Sequence, residues 1–456
     1  MDIENIVQKQ REFFKTGKTK DVNFRKKALK DLKKAIINRE EEINNALKLD
    51  LNKSETESYM AEIGMVLSEL SYAIKHVNSW AKSKRVHTPL AQFHSKSYYV
   101  SEPYGVSLII APWNYPFMLA LDPLVGAIAA GNCCVLKASR NAPNICKILQ
   151  KIISEIFPSE YITVIGTELE STSELLNHRF DYIFFTGSVR VGKMIMESAS
   201  KFLTPVTLEL GGKSPCIVEK TANIPLAAKR IMFGKVLNAG QTCVAPDYIL
   251  VQKDVKDELI KEMKKSLTNF LGENPIDNEE YTKIINKKQF ERIKGLLENQ
   301  NIILGGKCDE EKQKIEPTFL DEPDENSAVM QEEIFGPIFP IISYENIEEV
   351  IEFVQKREKP LALYLFTQSK KIQKLIQKYL SFGGGCINDT IIHLASSKLG
   401  FGGVGNSGMG SYHGKRSFDT FSHEKSIVKK YTWIDLPMRY MPYTKGKLKI
   451  IKMFLK

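Results

Sequence analysis

A cysteine, a glutamate and an asparagine of this chain lie at turns or at the end of a strand pattern, positions at which catalytic side chains are often found. Cys243 follows a glycine turn after a helical pattern, within the stretch NAGQTCVAPD. Glu209 ends an apolar strand pattern just before a glycine pair, and Asn114 lies on a turn stiffened by Pro112 and Pro116. A thiol can act as a nucleophile, a carboxylate as a base and an amide as an oxyanion donor. Together these residue types indicate acyl-transfer chemistry.

Each of these residues also has a structural interpretation. Any one of seven cysteines is by default a small buried hydrophobe. Asn114 could merely shape its bend as an Asx turn, and Glu209 could be a structural ion paired with Lys213. Taken singly, the three residues therefore leave both interpretations open.

The elements that must position these side chains follow an α/β pattern. From about 106 to 212, short β-rich runs alternate with helical stretches, and a second alternation runs from about 223 to 420. Because βαβ units wind right-handed, the first series predicts a doubly wound parallel sheet. Residues 2–80 have a helical pattern and are expected to cover that sheet. The second series predicts a further α/β domain.

The turn at 185–192 has the features of a phosphate site. An apolar strand pattern runs into a helix through Gly187, Ser188 and Gly192. Backbone N–H groups at the N-terminus of a helix can hold a pyrophosphate. The glycine clusters at 383–385 and 401–410 do not precede a helix in this way, so they predict turns and close packing.

Composition limits the class of protein. The chain of 456 residues has 43% hydrophobic and 26% charged residues, as a globular enzyme does, and its net charge of +10 is dispersed along helical patterns. A solvated surface explains this charge better than a nucleic-acid site does. Seven cysteines without a CxxC pair and seven scattered histidines predict no disulfide framework and no metal site. Without an apolar leader, the protein is expected to be cytoplasmic.

Five long motifs resemble the aldehyde dehydrogenase superfamily, and in particular its class 3 branch of fatty and aromatic aldehyde dehydrogenases. They are LTPVTLELGGKSP at 203–215, GQTCVAPDYIL at 240–250, MQEEIFGPI at 330–338, REKPLALY at 357–364 and FGGVGNSGMGSYHGKRSFDTFSH at 401–423. The resemblance spreads over most of the chain. It implies an α/β fold with a doubly wound dinucleotide-binding sheet, a second α/β catalytic domain and a β oligomerisation arm.

The resemblance also implies catalytic roles. Cys243 would attack the aldehyde, and Glu209 would activate the cysteine or the water that hydrolyses the resulting thioester. Asn114 would donate to the oxyanion together with the backbone N–H of Cys243. Tyr115 and Thr242, each beside a catalytic residue, are expected to line the aldehyde tunnel.

The implied cofactor is NAD or NADP. In the family the turn corresponding to Gly187, Ser188 and Gly192 contacts the dinucleotide. Glu333 would hold the nicotinamide ribose, and Phe335 would pack beside the ring. Lys137 would reach the adenosine ribose.

One residue departs from the family pattern. Members usually carry a glutamate after Lys-Pro-Ser, and that glutamate binds the ribose hydroxyls and repels a 2′-phosphate. Here Lys137 is followed by Ala138, Ser139 and Arg140. The reversed charge predicts that NADP is used at least as well as NAD. The alternative is that Arg140 turns to solvent and NAD remains preferred.

The predicted domains combine the pattern with the resemblance. Residues 1–85 and 105–209 form the dinucleotide-binding domain and residues 210–421 the catalytic domain. Residues 86–104 and 422–440 fit neither, and as oligomerisation arms they imply a homodimer. Residues 441–456 form a basic tail.

The tail has a pattern of its own. It has lysines at helical spacing beside an apolar face with Leu448 and Ile451. This arrangement suggests weak contact with an anionic membrane. A frayed tail, or one docked on a second subunit, is the alternative.

The predicted function is NAD(P)-dependent oxidation of an apolar aldehyde to its carboxylic acid through a cysteine thiohemiacetal and a thioester. Fatty, aromatic and terpenoid or carotenoid aldehydes all suit a class 3 tunnel. A cysteine-dependent hydrolase or acyltransferase without hydride transfer is one alternative. A basic peripheral binding protein that has lost activity is another, although every catalytic position is filled.

Overall fold

The computed structural model describes residues 2–167 and 172–455. The chain begins with the helices predicted over residues 2–80, which are α1 (Ile3–Lys15), α2 (Val22–Asn38), α3 (Glu40–Leu51), α4 (Glu55–Ser58) and α5 (Gly64–Trp80). Asp2 and Asp21 cap α1 and α2 by accepting a hydrogen bond from the first turn of each helix. Between α4 and α5 the chain makes one π-helical turn, Tyr59–Ile63. The next elements are two arm strands, β1 (Lys84–Val86) and β2 (Ser95–Pro103).

The first sheet contains the strands predicted between 106 and 212, which are β3 (Val106–Ile110), β4 (Cys133–Lys137), β5 (Ile162–Ile165), β6 (Tyr182–Thr186) and β7 (Val206–Glu209). The helices between them are α6 (Met118–Ala130), α7 (Pro143–Ile156), α8 (Thr172–Leu176) and α9 (Val189–Ser200). The five strands are parallel, in the order β7-β6-β3-β4-β5. The chain therefore leaves β3 in one direction and returns to its other side. This topology confirms the doubly wound sheet, and it puts the switch point at the carboxyl ends of β3 and β6.

The second α/β region begins with β8 (Pro215–Val218), α10 (Ile224–Val236), β9 (Tyr248–Gln252), α11 (Lys256–Leu271), α12 (Lys287–Gly295), β10 (Ile302–Leu304), β11 (Cys308–Asp309) and β12 (Lys314–Ile315). It continues with β13 (Thr318–Asp321), α13 (Ala328–Gln331), β14 (Ile338–Tyr344), α14 (Ile347–Gln355), β15 (Ala362–Phe366), α15 (Lys370–Tyr379) and β16 (Gly384–Ile387). Seven strands form one sheet in the order β10-β13-β14-β9-β8-β15-β16. Within it only β10 runs antiparallel to its neighbour.

Two strands of this sheet contain residues that disfavour a strand. The glycines at 383–385 predicted a turn, but Gly384 and Gly385 begin β16. A Cβ on Gly385 would lie 2.0 Å from the carbonyl oxygen of Leu363 on β15. These glycines therefore allow the predicted close packing, although they form a strand and not a turn. β14 contains Pro340, which disfavours a central strand because it lacks an N–H. The strand tolerates it because the pairing of β14 with β9 starts only at Ile341.

The last elements return to the first sheet and to the arm. They are β17 (Gly408–Met409), α16 (Lys415–Thr420), β18 (Ser422–Lys430) and α17 (Lys445–Phe454). β17 pairs antiparallel with β7, so the chain meets the first sheet again before residue 421, where the predicted catalytic domain ends. β18 pairs with β2 over its whole length and completes a three-stranded antiparallel sheet with β1. Among the described residues, no helix is long and apolar enough to cross a membrane.

Candidate active site

The three candidate catalytic side chains meet at one cavity. Asn114 follows β3, Glu209 is the last residue of β7, and Cys243 lies in the loop after α10. All three line a cavity of about 590 Å³ at the carboxyl ends of the first sheet. This is the switch point at which open α/β sheets bind ligands. The tertiary structure thus assembles residues that lie far apart in the sequence.

The loop that presents Cys243 has an unusual backbone. Asn238, Ala239 and Gly240 have φ values of 52°, 49° and 74°, so three successive residues are left-handed. A Cβ on Gly240 would lie 2.3 Å from the carbonyl oxygen of Gly336, which explains why only glycine fits there. Non-glycine residues held in this conformation are strained and cluster at functional sites.

The Cys243 thiol is held in its neutral form. Removal from water raises its pKa to about 12, and the nearby carboxylates of Glu333 and Glu209 add to the shift. A thiol with such a pKa is almost entirely protonated near neutral pH, so attack on a substrate requires a base.

Glu209 can serve as that base. Its side chain is buried, and neither carboxyl oxygen has a hydrogen-bond partner among the described residues. Burial raises the pKa of Glu209 well above its usual value. Lys213 is not its partner, because the Lys213 amine pairs with Asp247 and also donates to the carbonyl of Val329 at 2.8 Å. The structure therefore does not support Glu209 as a structural ion paired with Lys213.

Asn114 is fixed from two sides. Its Nδ2 donates to the carbonyl of Gln241 at 3.0 Å, and its own carbonyl accepts from Asn238 Nδ2 at 2.8 Å. An amide nitrogen carries two hydrogens. No described residue accepts the second one, so it is available to donate to a group in the cavity.

The cavity also contains most of the predicted cofactor residues, which are Lys137, Arg140, Gly187, Ser188, Glu333 and Phe335. Gly192 does not line it. A Cβ on Gly192 would lie 2.7 Å from Leu210 Cδ2, so this glycine lets α9 approach Leu210 instead.

The cavity suits a dinucleotide. Ser188 caps α9 by accepting from the Val191 N–H, and both residues line the cavity, so the helix N-terminus faces it. Glu333 lies against Gly211, where a Cβ would be 2.0 Å from the Glu333 carboxylate. Its Oε1 is buried without a partner among the described residues, as expected for a group that accepts a ribose hydroxyl. Burial and the charge of Asp247 raise the pKa of Glu333 to about 8.

Several lining residues were not predicted from the sequence, among them Trp113, Gln289 and Arg292. Trp113 makes an edge contact with Phe335, with ring centroids 5.3 Å apart. Arg292 donates to the carbonyl of Ile334 at 2.7 Å and brings a positive charge to the cavity wall. The only signal for Gln289 and Arg292 is their spacing on one face of α12, which does not reveal what that face meets.

A second cavity of about 160 Å³ lies on the other side of Cys243. Its wall is almost entirely apolar and consists of Met60, Ala61, Met65, Tyr115, Met118, Leu119, Phe233, Leu237, Thr242, Cys243, Val244, Ile391, Ile392, Leu394, Ala395, Phe401, Tyr412 and His413. Tyr115 and Thr242, the two residues predicted to line the aldehyde tunnel, both line this cavity. The hydroxyls of Tyr115 and Thr242 form a hydrogen bond of 2.6 Å. Burial lowers the pKa of His413 to about 4, so this imidazole is neutral and the cavity wall carries no charge near neutral pH.

Comparison with known proteins agrees with this geometry. The aldehyde dehydrogenase family matches residues 1–427. The chain is 51% identical over 456 residues to 4,4'-diaponeurosporen-aldehyde dehydrogenase of Staphylococcus aureus, covering 100% of this chain and 99% of the relative. It is 45% identical over 428 residues to the dimeric NADP-preferring aldehyde dehydrogenase of Rattus norvegicus, covering 94% of each. The solved substrate-bound state of Staphylococcus aureus AldH matches with a TM-score of 0.98 at 51% identity, covering 100% of both chains.

The chain belongs to the aldehyde dehydrogenase family. It is an NAD(P)-dependent aldehyde dehydrogenase whose relatives include family 3 members, so the resemblance of its motifs to the class 3 branch is confirmed. The α/β fold with a dinucleotide-binding sheet, a second α/β region and a β arm is likewise confirmed.

Proposed function

We propose that this enzyme oxidises an apolar aldehyde to its carboxylic acid with Cys243 as the nucleophile. The observation that carries the proposal is the position of Cys243 between the two cavities. Among the described residues, it is the one that lines both the apolar tunnel and the polar cavity suited to a dinucleotide. An aldehyde in the tunnel and a cofactor in the cavity would therefore meet at this thiol.

Each step has a residue to perform it. Glu209 accepts the thiol proton, and the thiolate of Cys243 forms a bond to the carbonyl carbon. Asn114 Nδ2 and the backbone N–H of Cys243 donate to the oxyanion that develops. A nicotinamide held by Glu333 and Phe335 would accept the hydride that leaves this carbon, and loss of the hydride would leave the substrate bound to Cys243 as a thioester. Glu209 first releases the thiol proton to bulk water, which restores its carboxylate. It then takes a proton from a water molecule whose oxygen attacks the thioester carbon. The C–S bond breaks with its electrons returning to sulfur, Glu209 returns the proton to that sulfur, and the acid departs.

The tunnel wall supports an apolar substrate class. Met60, Met65 and Met118 give it flexible, polarisable side chains that adapt to extended hydrocarbon chains. The Staphylococcus aureus relative is named for 4,4'-diaponeurosporen-aldehyde. We therefore place fatty, aromatic and terpenoid or carotenoid aldehydes in the substrate class. A panel of aldehydes of increasing chain length, compared by kcat/KM, tests this assignment.

The central test is Cys243→Ala. We expect the variant to form no reduced nicotinamide from aldehyde while it still binds the cofactor, because the thiol forms the covalent adduct and the cofactor occupies a separate cavity. The absorbance of reduced nicotinamide measures the first effect and cofactor fluorescence titration the second. Cys386→Ala is the matched control, since Cys386 is also partly buried but lines neither cavity. Turnover by Cys243→Ala would refute the proposal.

Cofactor choice and assembly belong to the same proposal. We infer that NADP is used at least as well as NAD, because the exposed Arg140 lines the cavity near Lys137 and Ser139. We also infer a homodimer joined through the arms, residues 86–104 and 422–440. The domain boundaries predicted from the sequence remain part of the proposal. So does weak contact of α17 with a membrane.

A further inference from the structure

A buried cluster of charged residues lies beneath the Asn114 loop, and none of the proposed steps uses it. Lys53 Nζ and Glu62 Oε1 are 2.5 Å apart, and both side chains are completely buried. Glu57, on α4 between them, lies close enough to both residues to feel their charges, and burial raises its pKa. The Lys53 amine also lies 4.1 Å from the ring centre of Tyr115.

The ion pair holds the backbone of the oxyanion loop at two points. Lys53 Nζ donates to the carbonyl of Asn114 at 3.1 Å. Glu62 Oε2 accepts from the N–H groups of Phe117 at 2.8 Å and Met118 at 3.2 Å. The turn from 114 to 118 is therefore anchored at its beginning and its end.

Glu62 is also next in the chain to residues that line the aldehyde tunnel. It lies in the π-helical turn Tyr59–Ile63, and Met60 and Ala61 of that turn line the tunnel. Turns of this kind occur frequently at functional sites. One carboxylate thus connects the surface that receives the aldehyde with the loop that carries the oxyanion donor.

The nucleophile loop joins the same network through Asn238. Its Nδ2 donates to the carbonyls of Asn114 at 2.8 Å and Gln241 at 3.0 Å. Its backbone N–H donates to Glu57 Oε1 at 2.9 Å. Because Asn114 Nδ2 also donates to the Gln241 carbonyl, the two loops cannot move apart without breaking buried hydrogen bonds.

We propose that Lys53, Glu62 and Asn238 are positioning residues that keep the Asn114 amide at the correct distance from the Cys243 sulfur. Stability does not explain the ion pair, because well-packed apolar residues commonly replace a buried pair without loss. The geometry does explain it, because two of these side chains converge on the carbonyl of Asn114 itself. The inference rests on the proposed role of Asn114 in binding the oxyanion.

The test is the double variant Lys53→Met/Glu62→Gln. Removing both charges together avoids leaving one buried charge unpaired, and glutamine keeps an oxygen for the loop N–H groups. We expect kcat to fall about tenfold to a hundredfold, while the KM for NAD changes by less than about twofold. Arg11→Met/Asp181→Asn is the matched control. The two residues of that pair are 2.9 Å apart and lie at the amino ends of β3 and β6, whereas the cavity lies at the carboxyl ends. The loss of the pair should leave kcat unchanged.

A mutant cycle with Asn114→Ala separates positioning from general damage. If the ion pair acts through the amide, the double variant should change kcat by less than about twofold once Asn114 is already alanine. Asn238→Gly provides a second variant for the same cycle, because glycine keeps the left-handed backbone and removes both side-chain donors.

The outcomes distinguish the two proposals. Unchanged kcat in Asn114→Ala alone would reject the oxyanion role on which this inference rests. A large effect of Asn114→Ala, with equal losses from the double variant in both backgrounds, would reject positioning and leave the oxyanion role intact. Wild-type kcat in both the double variant and Asn238→Gly would also overturn the inference.

Discussion

The side chains of Glu209 and Cys243 are both removed from water, and their burial determines how the activity depends on pH. Burial raises the pKa of both groups because the charged form of each loses its hydration. For Glu209, no hydrogen bond from a described residue replaces that hydration. Both groups are consequently neutral over a wider pH range than free side chains. The reaction needs at least one of them deprotonated, so activity should increase with pH.

We expect Glu209→Gln to lower kcat/KM about a hundredfold near neutral pH and to leave only the increase that comes from the Cys243 thiol, whose pKa is about 12. The sign follows from the raised pKa: the deprotonated fraction of Glu209 is small in acid and increases as the pH approaches its shifted pKa. Glutamine has the same size and cannot accept the proton. The measurement is kcat/KM from about pH 6 to about pH 10 for both proteins. Profiles of the same shape and height would show that Glu209 is structural.

Arg140 provides the residue-scale test of cofactor choice. Opposite charges about 4 Å apart attract by roughly 1 to 4 kcal/mol at effective dielectrics between 80 and 20, so Arg140→Glu should raise the NAD to NADP ratio of kcat/KM several-fold or more. Lys147→Glu is the control, because this exposed lysine on α7 does not line the cavity. A ratio that responds equally to both substitutions, or to neither, would refute a role for Arg140.

At the scale of single elements, α17 is the helix whose role the fold explains least. None of its residues is buried, and Leu448, Met453 and Phe454 are exposed. Thr444 caps its first turn by accepting from the Lys447 N–H. A ten-residue helix with no buried residue is marginal in water. A surface that covers its apolar face would stabilise it, and its lysines favour an anionic one.

We therefore expect the full chain to co-sediment with vesicles containing anionic lipid and a chain lacking residues 445–456 to bind much less. Attraction between the lysines and the lipid head groups should weaken as salt is added, because counterions screen it. Neutral vesicles are the control. Equal sedimentation with and without the tail would reject membrane contact through α17.

At the scale of the whole molecule, two sheets end in strands with one neighbour each. β16 closes the seven-stranded sheet and β18 closes the arm sheet, and neither has a second partner among the described residues. Unpaired edges readily accept another strand. Pairing β18 of one chain with β16 of another would cover both edges in a symmetric dimer.

Sedimentation should therefore give twice the chain mass of 51.8 kDa. Proline at Val428 and, separately, at Lys429 tests the edge, because successive N–H groups of an antiparallel strand point to opposite sides. The substitution that removes the outward N–H should favour the monomer, and the other should weaken the pairing with β2. Monomeric wild type, or a dimer that survives both substitutions, would contradict the arrangement.

Much of this architecture is determined by local sequence. The periodic apolar residues of α1 to α5 and the short β-rich runs of β3 to β7 specify their elements within a few residues, because helix and strand repeats are local properties. The catalytic candidates were also found from the sequence, since Cys243, Glu209 and Asn114 lie in motifs that resemble a known family. Their roles remain predictions, although the fold places all three at one cavity.

Only the tertiary structure decided what surrounds those residues. Arg292 reaches the cavity from α12, and Glu62 reaches the N–H of Phe117 across 55 positions of the chain. β14 accepts Pro340 because its pairing with β9 begins one residue later, at Ile341. β16 forms from glycines because β15 lies too close for a side chain. The pKa values of Cys243 and Glu209 depend on desolvation by distant segments. Spacing in one sequence determines elements, whereas burial, charge and hydrogen-bond partners arise when those elements pack together.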